Sequence, residues 1–123
     1  MGKNLDGRYF YSAVCTNVVD GDTIDVNIDL GFHNFAKHRV RLMRVDTPEM
    51  NDKDQVTRDH AKEAKLFVMN NIGGLNVIIE TRKSDSFGRW LAEVYFETVE
   101  NGVAVQKNLS DELLVRGYAV PYK

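Results

Sequence analysis

The sequence predicts a mainly β fold with helices, of α+β type: a five-stranded barrel of the OB kind with flanking helices. Three observations predict it. Five short runs are rich in β-branched and aromatic residues or alternate with period two. One apolar stripe of helical spacing separates the third run from the fourth, and a second follows the fifth. No repeat, low-complexity tract or proline-rich linker divides the chain. With 123 residues, a single domain spanning 1–123 is expected, its core at about residues 8–122.

Taken in order, residues 8–19 are aromatic and β-branched and read as a strand. Residues 22–30 alternate, with Ile24, Val26, Ile28 and Leu30 on one face and Asp25, Asn27 and Asp29 on the other. Asp22 shares the parity of the apolar face, so a carboxylate there calls for a cationic partner. Gly31 to Asn34 reads as a turn, and 35–45 as a third strand. Residues 57–72 place Ala61, Ala64, Val68 and Ile72 on one face of a helix, with Thr57 or Asp59 as cap and Gly73-Gly74 as stop. Residues 75–82 read as a fourth strand. Residues 89–97 read as a fifth, with Trp90, Ala92, Val94 and Phe96 on one face. Residues 108–116 read as a short helix capped by Asn108 or Ser110 and stopped at Gly117.

Composition excludes several function classes. Apolar residues are 43% and charged residues 28%, a globular balance unlike that of disordered or collagen-like chains. Lys plus Arg is 16 against 18 for Asp plus Glu, a net charge of −2. A histone-like polycation is therefore ruled out, and nucleic-acid binding has to come from a local cluster or a bound cation. Cys15 is the one cysteine, so an intramolecular disulfide is impossible, and its apolar neighbours predict a buried thiol. His33, His38 and His60 are not spaced as zinc ligands. No run approaches the ~20 apolar residues of a membrane span, and no membrane partner is expected. The opening MGKNLDGRYF carries no apolar leader, so a cytoplasmic chain is expected as written, and a monomer is expected because the sequence shows no obvious association surface. The alternative is a secreted chain whose signal peptide has been trimmed.

Three segments can carry chemistry. Asp20-Gly21-Asp22-Thr23 is either a hairpin turn or a pair of hard carboxylates for an oxygen-loving cation. Asp46-Thr47-Pro48-Glu49, at a strand exit, is either a helix-entry signal or a carboxylate site. Asp85-Ser86-Phe87-Gly88-Arg89 is either a hairpin or a rigid mount for a phosphate-gripping guanidinium. Together they match the needs of phosphodiester hydrolysis. Fixed positive charge must surround the phosphorus as negative charge gathers there, and a base must orient or deprotonate water. Residues 37–44 carry Lys37, Arg39, Arg41 and Arg44 with no acid.

The pieces VVDGDTI at 18–24, RLMRVDTPE at 41–49, DSFGR at 85–89 and LLVRGYA at 113–119 resemble the staphylococcal (micrococcal, thermonuclease) nuclease family in order and in spacing. The resemblance spans about residues 10–122. It implies an OB-fold, Ca²⁺-dependent nuclease acting on single-stranded or frayed DNA and on RNA, leaving 3′-phosphate ends. It assigns Ca²⁺ to the carboxylates of Asp22 and Asp46 and the backbone carbonyl of Thr47. It gives Glu49 the role of general base and sets Arg41 and Arg89 on the scissile phosphate. Ser86, Phe87, Tyr118 and Tyr122 are candidate substrate contacts. Two departures stand out: the family's prototype is basic where this chain is slightly acidic, and it has Lys-Tyr where this chain has Ser86-Phe87. Weaker, more salt-sensitive capture of substrate is expected. The runner-up reading is a non-catalytic nucleic-acid or protein-binding module on the same fold. Glu49→Gln and removal of Arg41 or Arg89 are expected to leave folding intact.

Overall fold

The computed structural model describes residues 2–3, 9–84 and 89–122. The elements run β1 (Gly2–Lys3), β2 (Tyr9–Asp20), β3 (Thr23–Gly31), β4 (Asn34–Leu42), β5 (Val45–Asp46), α1 (Gln55–Ile72), β6 (Asn76–Ser84), β7 (Trp90–Glu100), β8 (Val103–Asn108), α2 (Leu109–Val115) and β9 (Val120–Pro121). Five of these strands form the predicted ring. β2 pairs β3, β3 pairs β4, β4 pairs β7, β7 pairs β6, and β6 returns to β2 along Tyr9↔Thr81 to Val14↔Asn76. The β4–β7 seam is parallel and short, from Val40↔Trp90 to Leu42↔Ala92, and the other ring pairings are antiparallel. This is a mainly β, partly closed barrel of OB type with two helices.

The alternation read from the sequence becomes the core. Ile24, Val26, Val40, Leu42, Ile79 and Val94 fill the barrel, and Cys15 is fully buried among them. Burial pushes the Cys15 thiol pKa up, as expected for a thiol that serves as an apolar filler. α1 lays Ala61, Ala64, Val68 and Ile72 inward. The turn after α1 is bonded to β2 by the N–H of Gly74 to the carbonyl of Cys15 (2.8 Å) and the N–H of Cys15 to the carbonyl of Leu75 (3.1 Å). α2 adds Leu109 and Leu113, is capped by Asn108 as predicted, and ends at Gly117 with φ +79.

Several expectations are corrected. α1 begins two residues early because Asp54 is its cap, its carboxylate accepting from both the N–H (3.2 Å) and the hydroxyl (2.9 Å) of Thr57. That makes Thr57 the third helical residue and puts Asp59 in the second turn. The third strand stops at Leu42, where Arg44 adopts φ +70 and breaks the run ahead of the short β5. Leu30 and Trp90 share parity with their core-facing neighbours, yet they lie at the barrel's open end and are 47% and 44% exposed. β7 runs on to Glu100 and turns through Asn101 and Gly102, both at positive φ, into the unpredicted β8. The Asn-Gly pair is the signal for that hairpin. Toward its tip the hairpin leaves its apolar side chains outside the core, since Val99 and Val103 are both exposed.

Candidate active site

The site is built where β2 ends, β3 begins and the segment after β4 crosses them. β2 carries register shifts between Cys15 and Asn17 and again between Val18 and Asp20. Such bulges sharpen local twist and re-aim side chains, here at the Asp20–Thr23 turn. Gly21 is required by proximity: a Cβ there would meet the Ala64 Cβ of α1 and the Thr47 Cγ2, each at 2.9 Å. The bare backbone lets the turn dock on both.

Asp22 is buried, as its parity predicted, and is fully engaged. One carboxylate oxygen accepts from the Thr23 hydroxyl (3.0 Å), and the other from the backbone N–H of Thr47 (3.2 Å) and Nη2 of Arg41 (3.3 Å). The cationic partner demanded by burial is Arg41. Burial would raise the Asp22 pKa, but hydrogen bonds from Asp20, Thr47 and Thr23 and the Arg41 charge together hold it below the usual carboxylate value. Asp20 goes the other way. Its own burial and the adjoining Asp22 carboxylate push it up to about 6, while its Oδ1 accepts the N–H of Asp22 at 3.2 Å.

Arg41 is 7% exposed and uses its whole fork. Nη1 donates to the carbonyls of Leu42 (2.9 Å) and Val45 (3.0 Å), and Nη2 to Asp22 and to Asp46 (both 3.3 Å). The guanidinium lies over the ring of Tyr122, 4.6 Å from its centroid. That ring is held there by backbone: β9 pairs with β5 through Val45↔Pro121 and Asp46↔Val120, and the N–H of Tyr122 donates to the carbonyl of Arg44 (2.9 Å). Arg44 is in turn clamped to Glu93 on β7 at 2.7 and 3.0 Å, a pairing that raises its pKa further.

Asp22, Arg41, Asp46 and Thr47 are thus brought together, with Asp46 half-buried beside the buried Asp22. Glu49 stands exposed on the turn beyond Pro48, its backbone carbonyl accepting from the N–H of Asp52 at 3.3 Å. Arg89 is half-buried one residue ahead of β7, whose register sets Leu91 beside Arg41. Tyr118 stacks on Phe67 of α1 with centroids 4.9 Å apart. It edges a groove of about 310 Å³ shared with Pro48, His60, Glu63 and Arg116. Ser86 and Phe87 lie outside the described residues. Asp20 and Glu93 are the residues that sequence reading underrated. Asp20 was visible in the DGDT segment, whereas nothing in the local sequence marks Glu93 as the anchor of Arg44.

Among the described residues, no three His, Cys, Asp or Glu side chains gather as a ready metal cluster. The donor set nevertheless suits a hard cation: carboxylate oxygens from Asp22 and Asp46 and the backbone of Thr47. The position between the two carboxylates already holds positive charge, in the form of Arg41 Nη2.

Comparison with known proteins gives two kinds of match. The family model described as staphylococcal nuclease homologue matches residues 39–123, a span that begins within β4 and leaves Asp20 and Asp22 ahead of it. An uncharacterized protein of Bacillus anthracis is 32% identical over 96% of this chain and 50% of its own length. An uncharacterized protein of Methanocaldococcus jannaschii is 28% identical over 96% of this chain and 62% of its own. The chain therefore spans between half and two thirds of the length of these relatives.

Proposed function

The chain belongs to the staphylococcal nuclease homologue family, and from that premise we propose a Ca²⁺-dependent nuclease that hydrolyses single-stranded or frayed DNA and RNA to products with 3′-phosphate ends. Family membership supports a nuclease-type hydrolase with nucleic acid as its substrate. The finer reading is supported by one observation above all. Asp22 of the β2–β3 turn and the Asp46-Thr47 pair, distant in the chain, meet: both carboxylates accept from the one buried guanidinium of Arg41, and the Thr47 N–H donates to Asp22. In this reading residues 1–123 act as one domain and as a monomer.

Asp22, Asp46 and the carbonyl of Thr47 would hold the cation. Bound there, Ca²⁺ supplies charge that offsets the phosphodiester's own and the extra charge of its transition state. The chain's residues do the rest. Arg41 supplies one guanidinium: two backbone carbonyls fix its Nη1, and a cation taken up by Asp22 and Asp46 would release its Nη2 to a phosphate oxygen. Arg89 supplies the second guanidinium. Glu49, exposed at the mouth, takes a proton from water as the water oxygen bonds to phosphorus and the P–O5′ bond breaks, and the departing oxygen takes a proton from solvent. Tyr122 steadies Arg41, while Tyr118 with Ser86 and Phe87 would flank the nucleotide.

The test is hydrolysis of denatured DNA and of RNA, with millimolar Ca²⁺ and with chelator, by the native chain and by Glu49→Gln. Turnover in Ca²⁺ alone is expected, with Glu49→Gln slower by roughly 10²–10⁴-fold. Equal rates for the two proteins remove Glu49 from the chemistry. Binding without turnover in the native chain transfers it to the runner-up, a non-catalytic binding module, which the net charge of −2 favours.

A further inference from the structure

We propose that Arg44 is a positioning residue for the candidate active site: locked to Glu93 at a strained corner, it sets Asp46 and Thr47 against Arg41 and Asp22 while touching neither substrate nor cation. This rests on the nuclease reading for the reaction that the site serves. The corner is Met43-Arg44, between the end of β4 and the start of β5. The carbonyls on its two sides, those of Leu42 and Val45, converge on one nitrogen, Nη1 of Arg41, at 2.9 and 3.0 Å. Asp46 follows at once and accepts from Nη2 of the same guanidinium. The angle of this corner therefore decides how far Asp46 stands from Asp22.

Three observations single the corner out. The first is its backbone. Among the described residues, Phe32, His33, Arg44 and Asn101 are the non-glycine residues at positive φ. Phe32 and His33 make the β3–β4 turn and Asn101 the β7–β8 turn, where tight hairpins call for that conformation. Arg44, at φ +70, instead joins two strands that do not pair with each other. A long side chain in the left-handed region is costly and persists only where surrounding contacts over-determine it. The second observation is that those contacts are present. Nε and Nη2 of Arg44 grip the carboxylate of Glu93, buried on β7. Nη1 holds Asp111 at 3.0 Å and Nη2 donates to Oδ1 of Asn108 at 3.2 Å, both at the start of α2. The third is that the main chain is fastened as well. The N–H of Met43 donates to the carbonyl of Ala92 (3.0 Å), its carbonyl accepts from the Ser110 hydroxyl (2.9 Å), and the carbonyl of Arg44 accepts from the N–H of Tyr122 (2.9 Å). A buried carboxylate such as Glu93 calls for a cation but for no particular backbone. The strained mounting is explained by what lies on either side of it, the two halves of the site.

The experiment compares the native chain with Arg44→Gly, which adopts φ +70 freely, and with Arg44→Gly/Glu93→Gln, which strands no buried charge on β7 and keeps the net charge. The first readout is amide hydrogen exchange in chelator. Thr47 donates to Asp22 and Tyr122 to Arg44. Exchange at these two amides is expected to quicken about tenfold or more in both variants, while the β2–β3 and β6–β7 ladders keep their protection. The second readout is titration with Ca²⁺ alone. Binding is expected to weaken roughly 10- to 100-fold in both variants, the usual effect of removing a group that orients a metal ligand. The sign is diagnostic, because loss of a positive charge so near Asp46 would by itself tighten a cation. Excess Ca²⁺ is expected to restore cleavage, which a general loss of structure would not allow. Unchanged exchange at Thr47, exchange that quickens equally across the ring, or Ca²⁺ held as tightly or more tightly by both variants overturns the proposal. Local quickening in a protein that takes up no Ca²⁺ and cleaves nothing keeps the clamp and ends the nuclease reading. Cleavage by both variants at the native rate and with the native Ca²⁺ dependence keeps that reading and ends the clamp.

Discussion

Arg41 shows how much one side chain holds here. It is buried, donates to two carbonyls and two carboxylates, and is covered by Tyr122. These contacts argue that its removal is felt by the fold as well as by the site. Arg41→Ala strands the buried Asp22 and is expected to cost about 3–5 kcal/mol, seen in urea denaturation. Activity lost in that variant would say little about chemistry, and Glu49→Gln, at an exposed position, is the cleaner probe. Asp20 yields a pH prediction. Its pKa is about 6 in the folded chain and 3.8 in the ordinary carboxylate, so the native state holds a proton that the unfolded state lacks between those values. Its contribution is complete below about pH 4 and is lost as pH rises through 6. In chelator at pH 7, Asp20→Asn is expected to be more stable than the native chain by about 1–2 kcal/mol, the gap closing toward pH 4. A gap that is flat with pH would show that Asp20 ionises normally.

At the scale of elements, the site depends on how closely the Asp20–Thr23 turn meets α1. Gly21 has no room for a methyl group against Ala64 and Thr47. Gly21→Ala is expected to destabilise by about 1–3 kcal/mol through overpacking. It also pries Asp22 from the Thr47 N–H, so thermal melting and the Ca²⁺ affinity proposed for this site are expected to fall together; a change in neither would contradict the close packing. The sequence shows this glycine in an Asp-Gly turn, and turn geometry was the reading it invited. The cause lies in a helix more than 40 residues away, which no local pattern reports. By contrast, 22–30 and 57–72 were legible almost residue by residue, because alternation and the helical stripe are direct records of burial. β5 and β9 were not legible, since two-residue strands have no period to read.

Over the whole molecule, the barrel is closed by pairing far along the chain, and the site is closed by pairing still farther. Motif order and spacing carried the carboxylates and arginines, and the structure unites Asp22, Arg41, Asp46 and Thr47 as those motifs suggested. The sequence did not disclose that Arg41 itself stands between the two carboxylates, nor that Arg44 and Glu93 brace the segment holding Asp46. Such facts belong to three-dimensional contact and leave no periodic trace. Removing residues 120–123 is expected to leave the ring folded while lowering stability by about 1–2 kcal/mol and Tm by roughly 5 °C, through loss of the β9 pairing and the Tyr122 face over Arg41. Calorimetry showing no change would mean that β9 fastens nothing. The β5–β9 pairing also imposes a timetable. A ribosome has already emitted every motif by the time Ala119 emerges, yet β5, which bears Asp46, still lacks its strand partner. The cluster around Arg41 is therefore completed late, when Val120 to Tyr122 fold back onto β5 and the Tyr122 ring covers the guanidinium.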